Sequence, residues 1–302
     1  MLDLLLRASF FIGIIILGYV LKRVGVFQEN AFSVLSNIVL KITLPAAIVM
    51  NFSNMQFDYA MLAIALLGLA GGVVYIIAGL VLNIGKDRGQ RAFDVLNLPG
   101  YNIGVFALPF IQSFLGPVGV VSASLFDVGN AFVCLGGAFG VASAIKNGSG
   151  FSLKRIVKAL LKSVPFIIYI VMMLIVVANI PVPQQVVDCA KIIANANTFL
   201  AMLMIGIGFN VSADRKQIGH IARILLVRYG LAAALAVVFY FLLPFSLEVR
   251  KTLVILVFSP VGAAVPPFTK ELKGDFGLSS AINSISIIIS IAVFVLLLTV
   301  IP

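Results

Sequence analysis

The sequence predicts an all-α integral membrane protein of ten transmembrane helices, arranged as two inverted five-helix repeats, and three observations predict it. The first is composition. Of 302 residues, 62% are hydrophobic and only 11% charged, with a mean hydropathy of +1.17, whereas a soluble domain is about half apolar and about a quarter charged. The second is length. The apolar runs approach the ~20 residues that a helix needs to cross a ~30 Å hydrocarbon core, and barrel strands would be about half as long and alternate in polarity. The third is the distribution of basic residues, which fall on every other connection between the runs.

Charge and Gly/Pro punctuation bound the ten runs in order. Span 1 (4–21) lacks a basic lead and a small-residue cleavage site, so it reads as a retained span and not a signal peptide. Span 2 (31–50) holds Lys41 in its interior, and span 3 (60–82) is uninterrupted until "GKDRGQR". Span 4 (92–114) contains "NLPGYNIGVFALPF", and span 5 (118–144) carries Asp127 and Asn130. After the polar stretch "KNGSGFSLKR" come span 6 (158–179), span 7 (188–208) and span 8 (218–243), the last with Arg228 inside it. Span 9 (250–270) contains "SPVGAAVPPF" and span 10 (277–301) contains "SSAINSISIII".

Counting charges tests the number of spans, since one added or missed span would scramble the alternation. Lys22, Arg23, Lys86, Arg88, Arg91, Lys146, Lys154, Arg155, Lys158, Lys162, Arg215, Lys216, Arg223, Lys270 and Lys273 fall on one side. Only Arg7, Lys191, Arg250 and Lys251 fall on the other. The basic side is cytoplasmic by the positive-inside rule, which puts both termini outside a multi-pass inner (cytoplasmic) membrane protein. The net charge of +10 is then loop bias and not a nucleic-acid surface. His220 lies in a basic loop and reads as solvated. Cys134 and Cys189 make no disulfide or metal framework and read as packing residues.

The polar stretch divides the chain into a first repeat (1–145), a cytoplasmic linker (146–157) and a second repeat (158–302). Five is odd, so the second group enters the membrane from the opposite side, which is an inverted-repeat topology. Pro99 and Asn102 in span 4, and Pro260 in span 9, each lie about ten residues in, near the bilayer midplane at 1.5 Å per residue. Proline removes a donor and glycine permits non-helical torsions, so both spans are expected to be broken there. Such breaks, in the fourth span of each half, point to a midplane substrate site. Asp127 and Asn130 share one helix face, and Asn283 and Ser286 repeat the spacing in span 10. A buried acid at that depth is expected to bind a cation, carry a coupling proton or neutralise a base. Lys41 and Arg228 are the bases available to pair with Asp127 or attract an anion, and long basic chains also snorkel.

In order along the chain stand Leu44–Pro45, Asn102–Ile103–Gly104, Leu108–Pro109, Asp127 with Asn130, "MLMIGIGF", and Pro260 followed by Lys270–Glu271, Gly274 and Asp275. Taken together they resemble the auxin efflux carrier family, which includes plant PIN-type auxin exporters and bacterial permeases associated with malate or malonate. The resemblance implies helices 4 and 9 crossing at midplane, a scaffold part moving against a transport part, and a carboxylate-bearing organic anion held beside the crossing. It passes the crossing role to Pro109 and Pro260, with Pro99 and Gly262 beside them, and polar support to Asn102, Asp127 and Asn130. The residues expected to bind substrate are Asn102, Gly104, Asn130, Lys41, Asn283 and Ser286, with Asp127 as coupling or counter-ion group. Where family members often carry an asparagine, this chain has Ala264, followed by Pro266–Pro267. Polar recognition is therefore expected mainly from the first half.

The expected function is a secondary carrier working by alternating access on a small organic anion, coupled to H+ or Na+ or uncoupled, with no cofactor and no metal. The expected partners are that anion, the lipid bilayer and a second copy in a homodimer, with no nucleic acid. A channel or facilitator is the alternative. A membrane-embedded enzyme fits less well, because the lone histidine lies in a loop and the acids are scattered. "GKDRGQR" lacks the spacing of a phosphate-binding loop.

Overall fold

The computed structural model describes residues 2–28, 30–53, 55–56, 58–148, 153–210 and 214–301. Residues 149–152 of the expected linker lie outside the described residues. The described chain is helical, without a strand. In order the helices are α1 (Leu2–Arg23), α2 (Ala31–Phe52), α3 (Tyr59–Val81), α4 (Arg88–Asn97), α5 (Ile103–Phe114), α6 (Gly116–Asn147), α7 (Leu153–Lys162) and α8 (Val164–Val177). There follow α9 (Gln184–Gly208), α10 (Arg215–Phe241), α11 (Leu247–Val257), α12 (Val265–Glu271) and α13 (Phe276–Val300). Among the described residues six of these, α2, α3, α6, α9, α10 and α13, are long and apolar enough to cross a membrane.

The runs at 92–114 and 250–270 are not continuous helices. Between α4 and α5 the chain is non-helical at 98–102, and between α11 and α12 at 258–264. The run at 158–179 differs from a single span in another way: it is divided at Ser163, where α7 and α8 meet at 83°. The local chemistry accounts for the division. The Ser163 hydroxyl accepts from the Phe166 N–H and Pro165 occupies the first turn of α8, both features of a helix start. On α7, Lys154 and Lys158 are exposed beside an exposed stripe of Leu153, Val157 and Leu161, while Ile156 and Leu160 are buried.

Two packed groups emerge. Helices α1, α2, α8 and α9 pack on one another, and α3 to α6 pack with each other and, chiefly through α11 on α6 and also through α12 on α4, with α10 to α13. Each group contains a glycine-mediated approach. A methyl group at Gly206 of α9 would collide with the Ile15 carbonyl of α1, and one at Gly129 of α6 with the Ala65 carbonyl of α3. In lipid, where apolar burial between helices gains little, small residues let backbones approach closely enough for dispersion to hold them. Three helices carry one π-turn each, at Val39–Thr43, Ile103–Ala107 and Val133–Gly137. The Thr43 hydroxyl in the first of these donates to Asn197 Oδ1 at 2.8 Å, tying α2 to α9.

Candidate functional site

The two non-helical segments meet. The Asn102 N–H donates to the Pro260 carbonyl at 3.0 Å, so the backbones are in direct contact. Each segment exposes peptide groups that a helix would have paired, and buried backbone groups need partners. Arg228 of α10 supplies three. Its guanidinium donates to the carbonyls of Leu98 and Gly100 in the first segment and of Ser259 in the second, the last two at 2.8 Å. Arg228 has no exposed surface, and its charge lies over the rings of Tyr75 and Tyr101, 5.4 and 5.7 Å from their centroids. A buried cation is thus compensated by carbonyl dipoles and aromatic faces, with no carboxylate among its hydrogen-bond partners in the described residues.

Side chains of the following helix complete each segment. Asn130 Oδ1 accepts from the Tyr101 N–H at 2.9 Å, and its Nδ2 donates to the Tyr101 carbonyl at 2.8 Å. In the second segment two residues divide these roles. Asn283 Nδ2 donates to the Val261 carbonyl at 2.8 Å, and Ser286 Oγ accepts from the Val261 N–H at 3.1 Å. Ser290 Oγ donates to the Phe258 carbonyl at 2.6 Å. Gly100 holds φ +82°, a left-handed torsion that favours glycine, and Cys134 Sγ lies 2.5 Å from where its Cβ would be. The same sulfur lies 3.2 Å from the Cβ position of Gly262, so Cys134 packs against both segments, whereas Cys189 is exposed and is not the packing residue expected.

Asp127 joins the first segment only. Its Oδ1 accepts from Asn130 Nδ2 at 2.8 Å and its Oδ2 from the Tyr169 hydroxyl of α8 at 3.0 Å. Neither Lys41 nor Arg228 pairs with it. Lys41 stands exposed on the π-turn of α2, and the guanidinium of Arg228 is engaged by carbonyls. Gly104 gives the acid room: a Cβ there would lie 3.3 Å from Asp127 Oδ2 and 2.8 Å from Leu44 Cδ2.

A cavity of about 230 Å³ ends at the joined segments. Asn102 and Asn283 line it at that end, and Lys22, Phe32, Asn210 and Phe276 line it at the helix termini that carry the basic connections. Of the residues expected to bind substrate, the cavity gathers Asn102 and Asn283. Asn130, Ser286 and Gly104 stand behind the segments, and Lys41 lies elsewhere. The polar lining comes from both halves, Lys22 and Asn102 of the first and Asn210, Ser280, Asn283 and Ser284 of the second. Of the residues expected at the crossing, Pro99, Pro260 and Gly262 lie in the non-helical segments, whereas Pro109 sits in helical backbone of α5, two residues past its π-turn at Ile103–Ala107. A second cavity of about 530 Å³, lined by Asn51, Gln112, Asn195 and Thr198, lies toward the opposite helix ends.

The cytoplasm-expected ends of α4, α10, α12 and α13 are tied by polar contacts. His220 Nε2 lies 2.6 Å from Oδ1 of Asp94, which is 1% exposed, so His220 is an interhelical partner and not a solvated loop residue. Ser279 Oγ donates to Asn97 Oδ1 at 2.6 Å, and Asn97 Nδ2 to Thr269 Oγ1 at 3.3 Å. Ser280 and Lys22 are the contributors that sequence reasoning missed, and Arg228, considered there as a partner for Asp127 or an anion, instead holds backbone carbonyls. Lys22 was legible only as one more basic residue at a helix end.

Comparison with known proteins gives two findings. Residues 9–144, from α1 through most of α6, match the family described as Membrane transport protein. An uncharacterized transporter of Methanocaldococcus jannaschii is 23% identical over 210 residues, covering 66% of this chain and 67% of that relative.

Proposed function

We propose that this chain, which carries the membrane transport protein pattern over residues 9–144, is a secondary carrier for a small organic anion of the carboxylate class, working by alternating access. The family match and the archaeal relative point to a transporter, and six long apolar helices to a multi-pass membrane protein. The observation that carries the finer reading is the cavity ending on two interrupted helices whose backbones touch, since irregular backbone inside a membrane is tolerated where it is buried or lines a wet cavity. In this reading α4–α5 and α11–α12 are single broken spans crossing near the midplane, and the chain has ten spans in two inverted repeats. The group of α1, α2, α8 and α9 is the scaffold. The remaining helices carry the site past it.

Electrostatics favours an anion. Among the described residues the cavity lining contains Lys22 and no acid, and the twelve-residue α5 begins at the joined segments with its N-terminus, where free N–H groups and the helix dipole favour negative charge. The cavity reaches the helix ends that carry the basic connections, so the conformation corresponds to one open to the cytoplasm.

Asp127 is the coupling group in this reading. It lies beside the first segment, outside the cavity lining, hydrogen-bonded to Asn130, which in turn holds Tyr101; a change in its charge therefore reaches the site through one amide. The deciding experiment is uptake and counterflow in proteoliposomes against mono- and dicarboxylates, under imposed proton and sodium gradients. Saturable, exchangeable carboxylate flux is expected, and its absence under every gradient overturns the reading. Flux that neither saturates nor counter-exchanges makes the protein a channel. Asp127→Asn is expected to retain exchange while losing its response to the driving gradient, and a fully gradient-driven variant would remove Asp127 from coupling.

A further inference from the structure

Three polar groups in the cavity are left over once the structural hydrogen bonds are assigned. Asn102 is 6% exposed, and its side-chain amide bonds to no described residue although it lines the cavity. Ser280 is 8% exposed and its hydroxyl likewise makes no bond to a described residue. Both side chains line the cavity, where a ligand or water can take the hydrogen bonds that no described residue makes. The third is Lys22 at the end of α1. Its Nζ donates one hydrogen bond, to the Ile207 carbonyl at 2.8 Å, in the last turn of α9, where the helix dipole favours a cation. An ammonium has three donors, so this contact fixes Lys22 at the cavity and leaves donors for a ligand.

We infer that the ligand of this cavity is a small, singly charged organic acid, with Lys22 at the helix-terminus end as its charge partner and selectivity residue, and Ser280 and Asn102 as neutral hydrogen-bond partners elsewhere on the lining. The inference rests on the carrier reading above and deepens it. Among the described residues Lys22 is the only charged one on the lining, so one carboxylate is neutralised and a second would meet no opposite charge, only neutral amides and hydroxyls and apolar walls such as Phe32, Met204 and Ile287. An unpaired charge against such walls is strongly disfavoured. Size points the same way. About 230 Å³ falls below the ~300–1,000 Å³ of sites for drug-sized ligands, which suits an acid with a short apolar body. Lys22 comes from one helix group and Ser280 and Asn102 from the other, so the lining is complete only while the two groups stand in this arrangement. Release would follow their separation.

The test compares propionate and benzoate with malonate and succinate in counterflow across proteoliposomes, for wild type, Lys22→Gln, Lys22→Arg and Ser280→Ala, with size-exclusion profiles as a check on folding. Wild type is expected to prefer the singly charged acids. Lys22→Gln should raise KM for them by about ten- to a hundredfold, the loss of one charge-assisted hydrogen bond, while Lys22→Arg retains most of the affinity. Ser280→Ala should raise KM by about threefold to tenfold. An unchanged KM in a well-folded Lys22→Gln overturns the inference but leaves the carrier standing, as does a wild-type preference for malonate. No carboxylate flux in wild type overturns both.

Discussion

The two non-helical segments, 98–102 and 258–264, answer the same physical demand with different residues. Each has one residue at its centre, Tyr101 or Val261, whose N–H and C=O would be unpaired in an apolar surrounding. At the first, one amide satisfies both groups and also contacts an acid. At the second, an amide and a hydroxyl serve one group each and no acid joins them. By these bonds Asn283 corresponds to Asn130, and the position of Asp127 corresponds to Ser280, three residues earlier in each helix. The two segments therefore differ in chemistry: one has a titratable group behind it, the other a neutral hydroxyl that lines the cavity.

Arg228 is the element that the two segments share, and removing it should produce the largest effect. Arg228→Gln abandons three buried carbonyls at once, and at ~1.5–3 kcal/mol for each bond to a charged donor the loss is at least about 5 kcal/mol. Thermal unfolding in detergent should show little folded protein. Arg228→Lys keeps the charge but lacks the planar fork that reaches several acceptors, and should fall between the two. If Arg228→Gln unfolds like wild type, the segments are held independently and the comparison between them loses its common reference.

Much of this arrangement was legible in the sequence, and the illegible parts share a cause. Pro99, Gly100 and Pro260 marked where helical backbone stops, because those residues act through their own torsions. Asn102 and Asn283 stood out as amides in apolar runs. What could not be seen is any contact whose acceptor is a peptide carbonyl. Arg228 looked like a candidate for Asp127 because both are charged, yet its partners carry no side-chain identity at all. The pairing of Asn283 with Asn130 was hidden likewise, since equal spacing in two helices suggested Asp127 with Asn283. The division at Ser163 did leave a signal, a capping serine and a proline in the next turn, which the unbroken apolar run outweighed. Lys22 was explained once by topology and so was not considered again.

The next comparison sets Asn130 against Asn283. Asn130→Ala leaves both backbone groups of Tyr101 and one oxygen of Asp127 without their partner, for an expected loss of about 2–4 kcal/mol. Asn283→Ala removes one bond while Ser286 still serves the Val261 N–H, for about 1 kcal/mol. Thermal unfolding of the purified variants reads the difference directly. Equal losses would mean that the amides are equivalent and that the divided arrangement at Val261 has no consequence.

The smallest effect separates the two glycines that face Cys134. Gly100→Ala must adopt a left-handed torsion, at ~1–2 kcal/mol for a residue with a Cβ, and must also displace a sulfur 2.5 Å away. Gly262 has a φ outside that region and meets the same sulfur at 3.2 Å, so Gly262→Ala needs only a shift of a few tenths of an ångström and should cost under about 0.5 kcal/mol. Adding Cys134→Ala separates the causes. In the Gly100→Ala background it should recover the steric part and leave the torsional part, so that the double variant remains less stable than Cys134→Ala alone. In the Gly262→Ala background the two changes should cancel to within a few tenths. If Cys134→Ala rescued Gly100→Ala completely, packing alone would require that glycine, and the torsional difference between the segments would have no energetic weight.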